Sequence, residues 1–188
     1  MVELQINGIF AHQILKLSET MMKDNQHEEF PVVDEEGRVV GKATRGECHG
    51  GLRLLHPVVH LHVFNSQGEL YLQKRPEWKD IQPGKWDTAV GGHVKYGESI
   101  GDALYREVQE ELGITDFEPE LIGKYVFESL RERELVYVFR TIYDIPIEPS
   151  KEELDGGRFW TRSEIHNAVG KELLTPNFEN ELYRFLLD

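Results

Sequence analysis

Three glutamates near the middle of the chain have a spacing suited to metal chemistry. At about 100° per residue, Glu107, Glu110 and Glu111 fall within roughly a 100° arc of one helix face. Their carboxylates repel one another, and no Lys lies four residues beyond them to offset the repulsion. A hard divalent cation, Mg²⁺ or Mn²⁺, would offset it, and Mg²⁺ binds through a few carboxylates together with substrate phosphates. The spacing therefore predicts a metal site for a phosphate-bearing substrate, with a solvated acidic face as the alternative.

The helix that carries these glutamates is predicted between Gly97 and Gly113. Acidic residues in its first turn and a glycine at its end are typical start and stop signals. Leu104, Val108 and Leu112 form an apolar stripe beside the acidic face. We expect this stripe to anchor the helix on a sheet and to turn the glutamates toward a cleft.

Short strands are predicted on both sides of this helix, because Val-rich and aromatic runs alternate with turn residues. They cover residues 30–33, 38–44, 57–64, 69–73, 86–90, 121–127, 135–143 and 159–161. Two more helices are predicted over residues 163–169 and 177–187, with Ser163 and Asn177 as N-caps. Interleaved strands and helices predict an α/β (α+β) fold, a mixed sheet flanked by helices.

The run from Gly92 to Ile114 resembles the Nudix box. It reads Gly, five residues, Glu98, seven residues, then Arg-Glu-apolar-any-Glu-Glu-any-Gly-apolar, which fixes nine positions over 23 residues. The resemblance implies a Nudix-type α/β/α sandwich from about residue 30 onward. It also implies that Glu107, Glu110 and Glu111 are metal ligands, that the Gly92 carbonyl assists them, and that Arg106 orients a glutamate.

The same resemblance implies an activity. Nudix enzymes hydrolyse nucleoside diphosphates linked to another group, or related diphosphates, by attack of an activated water on phosphorus. For the residue that accepts the proton from this water, Glu110 is our first choice and Glu98 our second. Residues 128–134 are further candidates.

Outside the box, residues 32–134 also resemble type 1 isopentenyl-diphosphate isomerase. The matching residues are His49, His56, Phe64-Asn65, Gly68, Pro83-Gly84 before Trp86, Gly92-His93, Glu132 and Glu134. The resemblance implies a second divalent metal site with His49, His56, His93, Glu132 and Glu134 as ligands. Imidazole ligands would favour zinc, manganese or iron over magnesium. Taken singly, each histidine is more often a surface or hydrogen-bonded core residue.

Arg75 and Lys79 match basic residues that hold the substrate diphosphate in the isomerase, although solvated surface charge is an equal alternative. Two departures favour hydrolysis. The isomerase has a catalytic cysteine immediately before its Gly-His pair, where this chain has Gly91, and no Trp follows Trp160 to shield a carbocation. We therefore predict a diphosphate hydrolase on the isomerase-like branch, with the isomerase as the alternative and a noncatalytic nucleotide sensor as a third hypothesis.

His60 and His62 alternate with apolar residues, so both face one side of a predicted strand. That side is either the substrate cleft or a surface where the two rings form cross-strand hydrogen bonds. The sequence alone favours the second interpretation.

The composition limits the classes of partner. The formal net charge of -13 disfavours a nucleic-acid duplex, which basic proteins bind through clustered Lys and Arg. Cys48 is the single cysteine, so we expect no internal disulfide and a reducing cytoplasm. No apolar run approaches the roughly 18 to 20 residues of a membrane-spanning helix, and we expect no membrane partner.

Residues 1–29 are predicted to be an extension and residues 30–188 the Nudix domain. Apolar residues between Ile9 and Leu17 indicate a short amphipathic helix. It is an appended helix, a homodimer contact, or a segment that precedes the true start at Met21 or Met22, and the sequence leaves these alternatives open.

Overall fold

The computed structural model describes residues 25–79 and 81–186. Its strands are β1 (Glu29–Val33), β2 (Val39–Thr44), β3 (Leu55–Phe64), β4 (Leu70–Lys74), β5 (Trp86–Asp87), β6 (Val90–His93), β7 (Glu120–Glu128), β8 (Arg133–Ile142) and β9 (Gly157–Trp160). Its helices are α1 (Arg45–His49), α2 (Ile100–Leu112), α3 (Arg162–Ala168) and α4 (Pro176–Glu181), and a π-helical turn, Leu182–Leu186, follows α4.

The main sheet is mixed, as predicted. Its strands lie in the order β5-β4-β3-β8-β7, with β6 also paired to β3 and β9 to β4. β3 and β8 are parallel, whereas the other paired strands are antiparallel. β3 pairs with β4 only through Val63 and Phe64, and with β6 over residues 58–61. The sheet therefore divides beside β3, between β4 and β6.

Helix α2 packs on one face of the sheet through the predicted apolar stripe. Leu104 and Val108 are buried in one cluster with Val59, Leu61 and Val63 of β3. Because side chains alternate along a strand, the intervening residues of β3 face the other side of the sheet. There, residues of α3, α4 and β9 form a second apolar cluster. Helices thus cover both faces, and the predicted α+β sandwich is confirmed.

The predicted strand over residues 86–90 is two strands. β5 pairs with β4, whereas β6 pairs with β3, so the chain changes neighbours between Asp87 and Val90. Thr88 lies between the two strands, and its hydroxyl donates to the carbonyl of Leu61 on β3 at 2.9 Å. The single strand predicted here therefore pairs at two edges of the divided sheet.

The predicted helix caps are each wrong by two residues. Thr161 rather than Ser163 is the N-cap of α3, and it forms a capping box with Glu164. Thr175 rather than Asn177 is the N-cap of α4, with proline in the first helical turn. Each helix begins one residue before its predicted start, at Arg162 and Pro176, and the threonine before that residue is the N-cap.

Within the described residues, no helix is long and apolar enough to cross a membrane. The predicted N-terminal helix falls in residues 1–24, outside the described part of the chain. Its role, including the homodimer contact, stays a prediction.

Candidate active site

A cavity of about 840 Å³ opens where the main sheet divides. Strands β3, β4, β5 and β6 contribute to its wall, together with α2, the β7–β8 loop and the start of α4. Of the site residues predicted from sequence, the wall contains His49, Arg75, Lys79, Gly92, His93, Glu111, Glu132 and Glu134. The two predicted metal sites therefore border one cavity.

Glu111 is the member of the α2 glutamates that lines the cavity. Burial, followed by the charge of Glu107, raises the pKa of Glu111 well above its usual range. Gln73 on β4 donates a long hydrogen bond, 3.4 Å, to its Oε2 atom. Burial also raises the pKa of Glu107, although Arg106 opposes the effect. Two partly buried carboxylates with raised pKa values are a donor set that a bound cation would stabilise in the ionised form.

Arg106 holds several carboxylates in place. Its Nε and Nη2 atoms donate to both oxygens of Glu98 at 2.8 and 2.9 Å, and Nη1 donates to Glu107 at 2.7 Å. Nη2 also donates to the backbone carbonyl of His93 at 2.9 Å. Burial would raise the pKa of Glu98, but the hydrogen bonds from Arg106 outweigh it and lower the pKa. The guanidinium thus links α2 to the loop before it and to β6.

Glu110 differs from the other glutamates of α2. Its side chain is 52% exposed and lies outside the cavity wall, with one oxygen 3.2 Å from Arg106 Nη1. Its role as proton acceptor stays a prediction, as does that of Glu98.

Gly92 lies directly against Glu107. A Cβ atom at this position would collide with the carboxyl group of Glu107. The first glycine of the box is therefore required by the close approach of β6 to α2, which holds this glutamate beside the backbone of the cavity wall.

The three predicted histidine ligands form a cluster, drawn from α1, β3 and β6. Their ligand nitrogens all lie within 4.8 Å of one another. His49 Nε2 and His93 Nε2 are 3.1 Å apart, and the rings of His56 and His93 stack at 5.4 Å. Burial, followed by the charge of Arg45, keeps the pKa of His93 well below its usual range. Neutral imidazoles at this spacing suit a divalent metal.

The two predicted glutamate ligands complete the group. Glu132 Oε2 lies 3.9 Å from His49 Nε2, and Glu134 Oε1 lies 3.9 Å from His93 Nε2. Both carboxylates are buried. Burial, followed by the charge of Glu132, raises the pKa of Glu134 to about 8. We name His49, His56, His93, Glu132 and Glu134 the histidine-glutamate cluster.

His56 provides the test of whether a metal suits this cluster. Its Nδ1–H donates to the Leu54 carbonyl at 2.9 Å, which leaves the lone pair on Nε2. Nε2 is buried and has no hydrogen-bond partner in the described part of the chain. A buried acceptor without a partner is costly, and a metal ion would satisfy it. The donor set therefore fits a divalent metal.

Arg75 and Lys79 both reach the cavity. Arg75 donates to the Ile81 carbonyl at 2.9 Å and pairs with Asp87 at 3.3 Å. Lys79 Nζ lies 3.6 Å from Glu153 and 4.7 Å from the centre of the Trp78 ring. Both cations are therefore oriented by existing contacts, and their role as phosphate ligands stays a prediction.

Several residues of the site were not predicted from sequence. They are Gln73 beside Glu111, Asp87 beside Arg75, Thr175 bound to Asp87, and Glu181 bound to His60 and His62. None belongs to a motif, and each meets its partner only through strand pairing or helix packing. Local sequence patterns carry no signal for such contacts.

Comparison with known proteins supports one family. A profile of the NUDIX domain matches residues 54–183. An uncharacterized Nudix hydrolase from Pseudomonas aeruginosa, PA4841, is 37% identical over 127 residues, which cover 68% of this chain and 75% of that protein. Isopentenyl-diphosphate Delta-isomerase 1 from Photorhabdus laumondii is 29% identical over 162 residues, which cover 82% of this chain and 92% of that protein.

Two solved structures agree with this result. DR0079 from Deinococcus radiodurans has a TM-score of 0.73 at 24% identity, covering 85% of this chain and all of that one, which shows the fold. The MutT protein from Methanosarcina mazei has a TM-score of 0.60 at 28% identity, covering 70% of this chain and 92% of that one. With the domain profile spanning well over half of its length, the chain belongs to the Nudix hydrolase family.

Proposed function

We propose that this enzyme hydrolyses a phosphate-phosphate bond in a small diphosphate-containing molecule, such as a nucleoside diphosphate linked to another group, with Mg²⁺ or Mn²⁺ as cofactor. The observation that carries the proposal is Glu111, a partly buried carboxylate in the wall of a cavity that also contains Arg75 and Lys79. One acidic and two basic side chains in the same cavity suit a phosphate that is bound together with a metal ion. Family membership supports the same activity.

Each part of the site has a defined task in this reaction. Glu107, Glu110 and Glu111, with the Gly92 carbonyl, would hold the metal. A bound divalent cation neutralises phosphate charge and lowers the pKa of a water molecule. Arg75 and Lys79 bind phosphate oxygens. Arg106 holds Glu98 and Glu107 in fixed positions.

The bond changes are those of an anhydride hydrolysis. A water oxygen bonds to one phosphorus, the bridging oxygen leaves with the other phosphate, and a glutamate accepts the water proton. Glu98 has both oxygens in hydrogen bonds to Arg106, whereas Glu110 has one oxygen in such a bond. Glu110 therefore remains our choice for the proton acceptor, ahead of Glu98.

Isomerisation of isopentenyl diphosphate is the second candidate. The assembled histidine-glutamate cluster and the likeness to an isopentenyl-diphosphate isomerase favour it. Gly91 weighs against it, because the resemblance requires a cysteine immediately before the Gly-His pair and glycine offers no group for proton transfer. We therefore place isomerisation second, and we propose that the cluster holds a second divalent metal in either reaction.

The deciding experiment is incubation with a panel of nucleotide and isoprenoid diphosphates in ¹⁸O-labelled water, with Mg²⁺ and then Mn²⁺, and product analysis by mass spectrometry. We expect cleaved products that carry ¹⁸O on phosphate. Glu111→Gln should lower turnover by at least about a hundredfold, because the cavity loses a carboxylate ligand. Glu152→Gln, a change at an exposed position, should leave turnover unchanged.

Two results would contradict the proposal. Isomerised prenyl diphosphate without cleavage would show that the enzyme is an isomerase and not a hydrolase. Wild-type turnover in Glu111→Gln would remove this glutamate from the metal site. Glu110→Gln is compared with Glu98→Gln at saturating Mg²⁺, where weaker metal binding alone is overcome, and the larger loss of kcat should fall on Glu110→Gln.

A further inference from the structure

A buried polar network lies beside the cavity, on the face of β3 opposite α2. At its centre is the Glu181 carboxylate, which is fully buried at the end of α4. It accepts hydrogen bonds from His60 Nδ1 at 2.6 Å, from the Tyr125 hydroxyl at 2.8 Å and from His62 Nε2 at 2.8 Å. Two histidines of one strand thus share one carboxylate, and the predicted cross-strand bonding is replaced by bonding to a helix.

Of the two histidines, His60 lines the cavity and His62 does not. His62 is fully buried, and its second ring nitrogen lies 3.2 Å from the Thr88 hydroxyl. It already links β3 to α4 through Glu181. A purely structural link therefore does not need a second histidine at the cavity wall.

Gly91 lies beside the ring edge of His60 that faces away from Glu181. Because glycine has no side chain, this edge stays uncovered. A Cβ atom on Gly91 would lie 3.4 Å from both Cδ2 and Nε2 of His60. The His60 side chain is nine-tenths buried, with 7% of the residue exposed. Across residues 25–79 and 81–186, no group accepts a hydrogen bond from its Nε2 atom. A ring nitrogen without a protein partner, on a side chain that is nine-tenths buried, therefore borders the cavity.

The interaction of His60 with Glu181 favours a protonated ring, so that Nε2 is a hydrogen-bond donor. Burial would lower the pKa of His60, but the charge and hydrogen bond of Glu181 outweigh it and raise the pKa to about 9. Burial would raise the pKa of Glu181, but His60 and His62 hold it well below its usual range. Both ring nitrogens of His60 are then protonated at neutral pH. Because Nδ1–H is bound to Glu181, Nε2–H is the donor that a ligand meets.

We propose that His60 is a substrate-binding residue whose Nε2–H donates to a phosphate oxygen of the bound diphosphate. The assignment rests on the proposed function, because it takes a diphosphate as the ligand of this cavity. The other charged groups that act on His60, Asp87 and Glu134, are acidic, and Asp87 is paired with Arg75. These acidic groups do not attract an anion. An anion is therefore held here by the directed, charge-assisted hydrogen bond from Nε2–H.

The test is binding of methylenediphosphonate, which has a P–C–P linkage that water does not cleave, measured by calorimetry with Mg²⁺ present. We expect His60→Gln to weaken binding by about tenfold or more, because a charge-assisted hydrogen bond is lost. His62→Gln is the matched control, since it changes the same network away from the cavity, and its affinity should stay within about twofold. Glutamine retains an amide donor for Glu181 in both variants.

A second variant keeps the test decisive if His60→Gln folds poorly. Gly91→Ala leaves His60 and Glu181 intact but brings a methyl group beside Nε2, and it should weaken binding at an unchanged melting temperature. Equal affinity of wild type and His60→Gln, an equal loss in His62→Gln, or no binding by the wild type would each overturn the proposal. If His60→Gln alone loses affinity for methylenediphosphonate and the substrate panel shows no hydrolysis, His60 remains a diphosphate-binding residue. Only the hydrolase proposal is then rejected.

Discussion

Individual residues link the stability of this fold to pH, and His60 is the clearest case. Its pKa rises from 6.5 to about 9 on folding, because the charge and hydrogen bond of Glu181 outweigh burial. A group whose pKa is raised stabilises the fold fully below its unfolded pKa, and this stabilisation is lost as the pH rises through the folded pKa. In metal-free protein, His60 should therefore contribute on the order of 3 kcal/mol to the unfolding free energy at low pH.

Urea unfolding at a series of pH values measures this contribution. The difference in unfolding free energy between wild type and His60→Gln should be largest below pH 6.5 and should decline as the pH rises toward 9. The other titratable groups around His60 include Glu181, His62, Tyr125, Asp87, Glu134 and His93. A difference that is constant across this range would show that His60 is not charged in the folded protein.

Among the elements, α4 is joined to the cavity wall at its first residues by Thr175. Thr175 accepts a hydrogen bond from the Phe178 amide at 3.2 Å as the N-cap, and its hydroxyl donates to Asp87 on β5 at 2.6 Å. Thr175→Ala removes both bonds, so we expect a loss of about 1 to 2 kcal/mol in unfolding free energy. Thr175→Ser keeps the hydroxyl, and urea unfolding should place it much closer to wild type than to the alanine variant.

For the whole molecule, the histidine-glutamate cluster joins elements that are far apart in the chain. His49 lies on α1, His56 on β3, His93 on β6 and Glu134 on β8. A bound metal would cross-link all four, and a ligand at a hundred times its Kd adds about 2.7 kcal/mol of stability. Removal of the metal with a chelator should therefore lower the melting temperature by roughly 5 to 10 °C.

The metal itself is identified by elemental analysis of the purified protein. We expect zinc, manganese or iron in the wild type and in His166→Ala, an exposed histidine control, but not in His93→Ala. His93→Ala should also lose the effect of the chelator on melting temperature. Wild-type protein that contains no transition metal and does not respond to the chelator would rule out the second site.

Sequence alone determined the parts of this protein that follow from local periodicity. The acidic face of α2 and its apolar stripe require only the geometry of a helix, and Ile100–Leu112 lies within the predicted limits. The Nudix box is a contiguous motif, so the order of residues along the chain is enough to recognise the family. The five members of the histidine-glutamate cluster were named from a resemblance, and the structure brings them together.

Tertiary structure decided what depends on contacts between distant parts of the chain. Glu181 meets His60 and His62 across 121 and 119 residues, and no pattern near either position indicates the contact. The division of the sheet beside β3, which forms the cavity and exposes one edge of His60 beside Gly91, follows from strand pairing. Such contacts are set by the packing of whole elements, whereas sequence periodicity reports only which face of each element is buried.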